Sequence, residues 1–330
     1  MKKISINLKS HAPWYKYHID ESSQLSSEEI EQIYLTELHK FVCGNICVIQ
    51  FDNLGNIYVE FNEEQTLSDI KDVSAILLYF ISLCNGFNCE YKSTAIIDGK
   101  TYQNFFSFAQ EDKTFLPLLK NTKFYDISLE DIKDDLSQII ATLLAPDNRR
   151  YFLALLSNYY SLTVYKDFVG NSEYRFRNIV TNLESLITLI NNDKYTTIEN
   201  EHKNFLQDLR EQELFSKSEM DKHILAKGVR LEEKLQDIFD YAKQFGLSLK
   251  SNSTVECHKI ANTRNFISHL FKKEKVFLNR EEMSNYSAAL EILFRMIFLD
   301  HYGVDNALIK NKFLKNRSNQ EILKQIFYIV

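Results

Sequence analysis

The sequence predicts an α+β chain: a mixed α/β domain with β-hairpins at residues 1–125, followed by an all-α helical bundle at residues 126–330. Three observations predict it. Runs of β-branched and aromatic residues, bounded by Asp-, Asn- and Gly-containing turns, are confined to the first part. From about Ser128 onward the apolar residues recur at helical spacing instead. Gly 8 and Pro 3 are few for 330 residues, which favours long helices over tight turns. No internal repeat, low-complexity tract or Ser/Gly-rich linker separates the parts, so the two domains are expected to pack closely, with a boundary near residues 120–130.

In the N-terminal part, Ser26 and Glu29 offer a capping box for a helix running to about Phe41. Ile46–Phe51 and Ile57–Phe61 are β-rich runs, and Asp52-Asn53-Leu54-Gly55-Asn56 between them supplies turn chemistry for a hairpin. Ser68–Cys84 has a broad apolar helical face, and Asn85-Gly86 stops it. Tyr91–Ile97, Asp98-Gly99 and Lys100–Phe108 form a second hairpin, since Asp-Gly supplies the positive φ that a two-residue loop needs. Trp14, Tyr15, Tyr17, Phe105, Phe106 and Phe108 either fill the core of this sheet or stack on a base or trigger molecule.

Helices account for the rest. Ser128 with Asp131 caps a helix expected to reach Leu144, and Pro146-Asp147-Asn148 breaks it. Arg149–Val169 carries Phe152, Leu155, Leu156, Tyr159 and Leu162 on one side, and Gly170-Asn171 ends it. Ser172–Asn191 repeats the pattern with Ile179, Leu183, Leu186 and Ile190; Glu184 among them sits either on the wet helix edge or facing a cation such as Arg264. Residues 199–250 are charge-rich with mixed signs, the habit either of solvated helices or of an insertion that grips a partner or substrate, and Leu231, Leu235, Ile238 and Phe239 form a stripe in its last helix. A helix follows, with Ser253 and Glu256 as its capping box and Val255, Ile260, Phe266, Ile267, Leu270 and Phe271 as its buried side. Arg280–Tyr302 is a long buried helix ended by Gly303, and the tail from Asn306 to Val330 is expected to be helical with a docked apolar end.

Composition narrows the function. Hydrophobic content of 45% suits an ordinary soluble core, and a net charge of −6 means that any nucleic acid must meet a local basic patch. Cys43 and Cys47, or Cys84 and Cys89, lack redox or zinc spacing, so the five Cys read as reduced thiols. His11 and His18 have no partner spacing that implies a metal, and no phosphate loop or nucleophile elbow occurs. No apolar run has the length of a transmembrane helix, and no leader follows Met1-Lys2-Lys3, so the chain is expected to be cytoplasmic and away from membranes.

One stretch carries chemistry. In Thr263-Arg264-Asn265-Phe266-Ile267-Ser268-His269-Leu270, Asn265 and His269 are four apart and share a helix face. Arg264 is rotated off that face, but its long side chain reaches round. An imidazole titrating near neutral pH moves protons, a guanidinium matches phosphate oxygens, and an amide orients either. The set suits phosphodiester chemistry without a metal or cofactor. The same residues also suit a helix with a structural Arg and a surface His. Lys272, Lys273 and Lys275 just beyond either funnel phosphates or complement the helix C-terminus.

This stretch resembles the Arg-Asn-x-x-x-His signature of the HEPN superfamily, and its flanks resemble the ApeA-like branch. Tyr174–Leu186 is similar to the earlier helix of that family, with Glu184 as its acidic residue. The resemblance covers roughly residues 146–305. It implies an all-α HEPN-like bundle, a homodimer with two motifs facing each other, and a metal-independent endoribonuclease used in bacterial anti-phage defence or as a toxin. On this view Arg264, Asn265, His269 and Glu184 are catalytic, Lys272, Lys273 and Lys275 bind RNA, and the N-terminal domain senses a trigger ligand or phage protein. The alternative is a catalytically silent HEPN dimer scaffold, or a nucleotide- or RNA-binding module of a larger complex.

Overall fold

The computed structural model describes residues 4–10, 39–51, 56–62, 65–85, 91–97, 100–103, 126–164, 172–211, 229–269 and 277–329. It is mostly helical, with an antiparallel sheet near the N-terminus. The chain divides into two compact units. One is Met1–Val164 with Tyr302–Asn316, and the other is Tyr165–His301 with Arg317–Val330.

In the first unit, strands β1 (Ile4–Ser10), β2 (His39–Cys43), β3 (Cys47–Phe51), β4 (Asn56–Phe61), β5 (Tyr91–Ile97) and β6 (Lys100–Gln103) form one sheet in the order β2-β3-β4-β1-β5-β6. Each neighbouring pair is antiparallel. Both expected hairpins are present, with Phe51 opposite Ile57 and Ile97 opposite Lys100. Cys47, Ile49 and Phe51 alternate inward, as do Ile57, Val59 and Phe61, which gives the sheet one apolar face.

Two strands depart from the sequence expectation. Residues 39–41 belong to β2 and not to the end of a helix: Phe41 and Cys43 are buried while Val42 between them is exposed, a period of two. Gly44, at φ +55°, then turns the chain into β3. The earlier part of that expected helix, His11, His18, Cys89 and the aromatics Trp14, Tyr15, Tyr17, Phe105, Phe106 and Phe108 lie outside the described residues. The second departure is β1, which pairs with both β4 and β5.

Helix α1 (Leu67–Asn85) buries Ile70, Val73, Ile76, Leu77, Phe80 and Ile81. Each such side chain contributes about 1.5–3 kcal/mol. The expected helix from Ser128 to Leu144 is split into α2 (Leu129–Ile132) and α3 (Leu136–Leu144). The Ser128–Asp131 capping box is present, but the chain steps at 133–135, which lets Ile132 and Leu136 both point inward. Burial raises the Asp131 carboxyl, but the Lys312 ammonium and the Ser128 hydroxyl and N–H outweigh it and hold the group below its usual range. Pro146 starts α4 (Pro146–Val164) and does not merely break the chain, because the first helical position needs no N–H. Arg149 is buried, bonded to the Leu144 carbonyl and to Asp69 at 2.7 Å. Helix α10 (Asn306–Lys315), capped by Asp305, completes the unit.

In the second unit, α5 (Ser172–Ile190) packs against α7 (Leu231–Ala242), α8 (Ser253–His269) and α9 (Arg280–His301), and α6 (Asn192–Glu211) follows α5 directly. The apolar side of α5 is Phe176, Ile179, Val180, Leu183, Leu186 and Ile187; that of α9 includes Leu290, Leu293, Phe294, Ile297 and Phe298. After α7 a 3₁₀ turn ends at Gly246, whose φ of 76° redirects the chain into β7 (Leu247–Leu249). Past α11 (Arg317–Leu323), the tail is not helical to its end. Phe327–Ile329 forms β8, antiparallel to β7, with Phe327 buried. A pairing partner 78 to 82 residues upstream overrides the local helical habit of the tail.

Candidate active site

Helix α8 does not start or face as its sequence suggests. Its N-cap is Asn252, whose Oδ1 accepts the Val255 N–H at 3.2 Å, so Ser253 is already helical and there is no Ser253–Glu256 box. Glu256 turns inward instead: it is 5% exposed and accepts the Tyr286 hydroxyl at 2.7 Å and Lys259 Nζ at 3.3 Å. The buried stripe is Glu256, Cys257, Ile260, Ala261 and Thr263, while Val255 and Phe266, expected inside, are exposed. Phe266 lies on Phe277 with ring centroids 4.9 Å apart. Thr263 donates to the Lys259 carbonyl and accepts the Leu278 N–H at 2.9 Å, so it ties the approach to α9 onto α8.

Arg264 stands one turn beyond Ile260 and Ala261, at the end of that buried stripe. This position carries its guanidinium to α5. Nη2 donates to Glu184 Oε2 at 3.0 Å, and Nη1 donates to Asn265 Oδ1 at 3.1 Å. The Arg264 and Glu184 side chains are 23% and 24% exposed, so the pair is half-buried. Nε of Arg264 is buried and finds no hydrogen-bond partner among the described residues. A guanidinium has five N–H donors, so the pair leaves most of them unspent. Asn265 accepts through Oδ1, which leaves its NH₂ as a donor for another group.

Glu184 has a second cation. Lys234, from α7, places Nζ 3.5 Å from Glu184 Oε1. The same ammonium lies 5.8 Å from the centre of the Tyr195 ring. Tyr195 in turn donates to Asp237 Oδ2 at 2.7 Å, and Asp237 also accepts from Lys194 at 2.7 Å and Asn191 at 3.3 Å. Burial, helped by that hydrogen bond, pushes the Tyr195 hydroxyl up. A chain of contacts thus crosses four helices, from Asp237 through Tyr195, Lys234 and Glu184 to Arg264 and Asn265.

The structure therefore brings Glu184, Arg264 and Asn265 together across 80 residues of sequence. His269 is the last residue of α8, four residues past Asn265, but its side chain lies outside the described residues, as do Lys272, Lys273 and Lys275. Lys234 was not singled out by sequence. Its signal was faint: it sits between Leu231 and Ile238 at helical spacing, so a cation flanks the apolar stripe of α7 and needs a carboxylate there.

Among the described residues no group of His, Cys, Asp or Glu side chains is placed to hold a metal ion. Likewise, no described helix is long and apolar enough to cross a membrane. The arrangement offers a fixed, partly open guanidinium with an amide donor beside it, which suits a phosphate or another oxyanion. No curated protein and no solved structure matches the chain. The family described as Apea-like HEPN matches residues 177–308, a span that contains Glu184, Lys234, Arg264, Asn265 and His269. Residues 177–308 of this chain are an Apea-like HEPN domain.

Proposed function

We propose that the protein is a metal-independent endoribonuclease acting in bacterial anti-phage defence or as a toxin. The observation that carries this reading is the Glu184–Arg264–Asn265 cluster, held inside a domain whose family members are typically metal-independent ribonucleases. In this scheme the 2′-hydroxyl oxygen attacks its own adjacent phosphorus as its proton passes to a base. The 5′-oxygen then leaves with a proton from an acid. The products are a 2′,3′-cyclic phosphate and a free 5′-hydroxyl. His269 serves as the general acid or base. Arg264 stabilises the charge that builds on the phosphate oxygens, Asn265 donates to the phosphate or orients His269, and Glu184 fixes Arg264. Lys272, Lys273 and Lys275 draw the RNA backbone in. HEPN domains often bind RNA and dimerise, which supports a homodimer whose two chains share one composite site. The N-terminal unit takes the trigger ligand or phage protein, and the chain works in the cytoplasm.

The test is cleavage of single-stranded RNA in EDTA by the parent, Arg264→Ala and His269→Ala proteins. Cleavage by the parent alone, with cyclic-phosphate ends, is the expected result. Unchanged cleavage by His269→Ala would refute the assignment. Expression in cells extends the test: the parent is expected to arrest growth and both variants to be tolerated.

A further inference from the structure

The family resemblance rests on residues of α5 and α8, but the cluster contains a charged group from a third helix. We propose that Lys234 of α7 is a positioning residue for Arg264, acting through Glu184 to keep the guanidinium oriented and its charge only partly offset by the carboxylate. This rests on the ribonuclease reading above and names a part of its machinery that the two motifs do not include.

The geometry divides the Glu184 carboxylate between two cations. Oε2 accepts from Arg264 at 3.0 Å and Oε1 faces Lys234 Nζ at 3.5 Å. Lys234 is only 16% exposed, and its ammonium is steadied over the Tyr195 ring, itself fixed by Asp237. An ammonium held on that side has two consequences. First, the plane of the carboxylate is set, so Arg264 meets it through the one nitrogen Nη2, while Nη1 donates to Asn265 and stays off the carboxylate. Second, two cations share one anion, and the trio carries one net positive charge. Without Lys234 the carboxylate is free to rotate onto the guanidinium with both oxygens, and the net positive charge of the trio is lost. The scissile phosphate gains negative charge as it passes from diester to transition state, so the lost cationic character is felt chiefly in the chemical step.

The experiment compares Lys234→Met, which keeps the stem but removes the charge, with Lys234→Arg, which restores it. In EDTA with a short single-stranded RNA, Lys234→Met is expected to lower kcat by about ten-fold with KM within about two-fold, and Lys234→Arg to recover most of the loss. Parent-like kcat in Lys234→Met overturns the proposal. So does a loss that Lys234→Arg fails to recover, because packing alone would then explain it.

A second arm needs no catalysis. Urea unfolding is measured for Lys234→Met, Arg264→Met and the double variant, then again with Glu184→Gln in each. Removing both cations strands the half-buried carboxylate, so the double variant is expected to lose more than the sum of the single shifts, and Glu184→Gln to abolish that excess. Additive shifts in both backgrounds overturn the proposal. A parent that never cleaves RNA but shows the coupling would sink the ribonuclease reading and leave the shared carboxylate standing.

Discussion

Helix α8 handles two carboxylates, and they are treated in opposite ways. Near its start, Glu256 is sealed: it is 5% exposed, takes the Tyr286 hydroxyl and the Lys259 ammonium, and ties α8 to α9. Toward its end, Arg264 meets Glu184, which is 24% exposed and shared with Lys234, and the Arg264 side chain, itself 23% exposed, is not fully paired among the described residues. The first arrangement satisfies itself and excludes water, as a structural contact does. The second holds a cation in place without exhausting it, as a binding group requires. Burial and hydrogen-bond satisfaction, more than the mere presence of an ion pair, separate the two ends.

Four expectations bear on this contrast. The largest effect belongs to the open end. Arg264→Ala is expected to cut RNA cleavage by about a thousand-fold while its urea midpoint stays close to the parent's, a combination that steady-state kinetics beside chemical denaturation would read. At the sealed end the pattern reverses. Glu256→Ala leaves the Tyr286 hydroxyl buried without an acceptor and is expected to cost about 2–3 kcal/mol of stability, with cleavage per folded molecule unchanged. Equal losses of activity in both variants would erase the distinction.

Thr263→Val comes next. It removes the acceptor of the buried Leu278 N–H and is expected to cost about 1–2 kcal/mol in the same denaturation assay. The smallest effect is an absence of reaction. Burial, together with the nearby carboxylates of Asp240, Glu232 and Glu256, pushes the Cys257 thiol up to about 12. Its thiolate is therefore scarce near pH 8, and alkylation read peptide by peptide should leave Cys257 unmodified until the protein unfolds. Rapid native labelling would show that the sealed end opens.

What was legible in the sequence follows from the range of the forces involved. Hairpins written by local turn chemistry, such as Tyr91–Ile97 with Lys100, and helices with long apolar periodicity, such as Ser172–Ile190, were readable. Elements whose partners are distant in sequence were not. The alternation of Ile4, Ile6 and Leu8 is present, but β1 pairs with strands more than 45 residues away and has no turn to announce it. Phe327–Ile329 became a strand only because Leu247–Leu249 was available.

The site divides along the same line. The Arg264–Asn265 contact is legible because the two are adjacent, and the Arg264–Glu184 contact is one of the two placements that the sequence allows for Glu184. The buried face of α8 is legible in part: counting apolar residues places Ile260 inside correctly but Val255 and Phe266 wrongly, because the buried stripe runs through Glu256 and Thr263, polar residues with specific partners. Lys234 was hidden in a charge-rich stretch, since mixed signs along a helix look the same whether water or Glu184 is the partner.

The most direct measurement of the central claim is single-turnover RNA cleavage in EDTA by three proteins at a temperature where all are folded: the parent, Arg264→Ala and Tyr286→Phe. Tyr286→Phe weakens the sealed end alone, and Arg264→Ala removes the open end's cation. The account predicts that Tyr286→Phe cleaves at the parent's rate and that Arg264→Ala loses nearly all activity. Cleavage by Arg264→Ala at the parent's rate would contradict it.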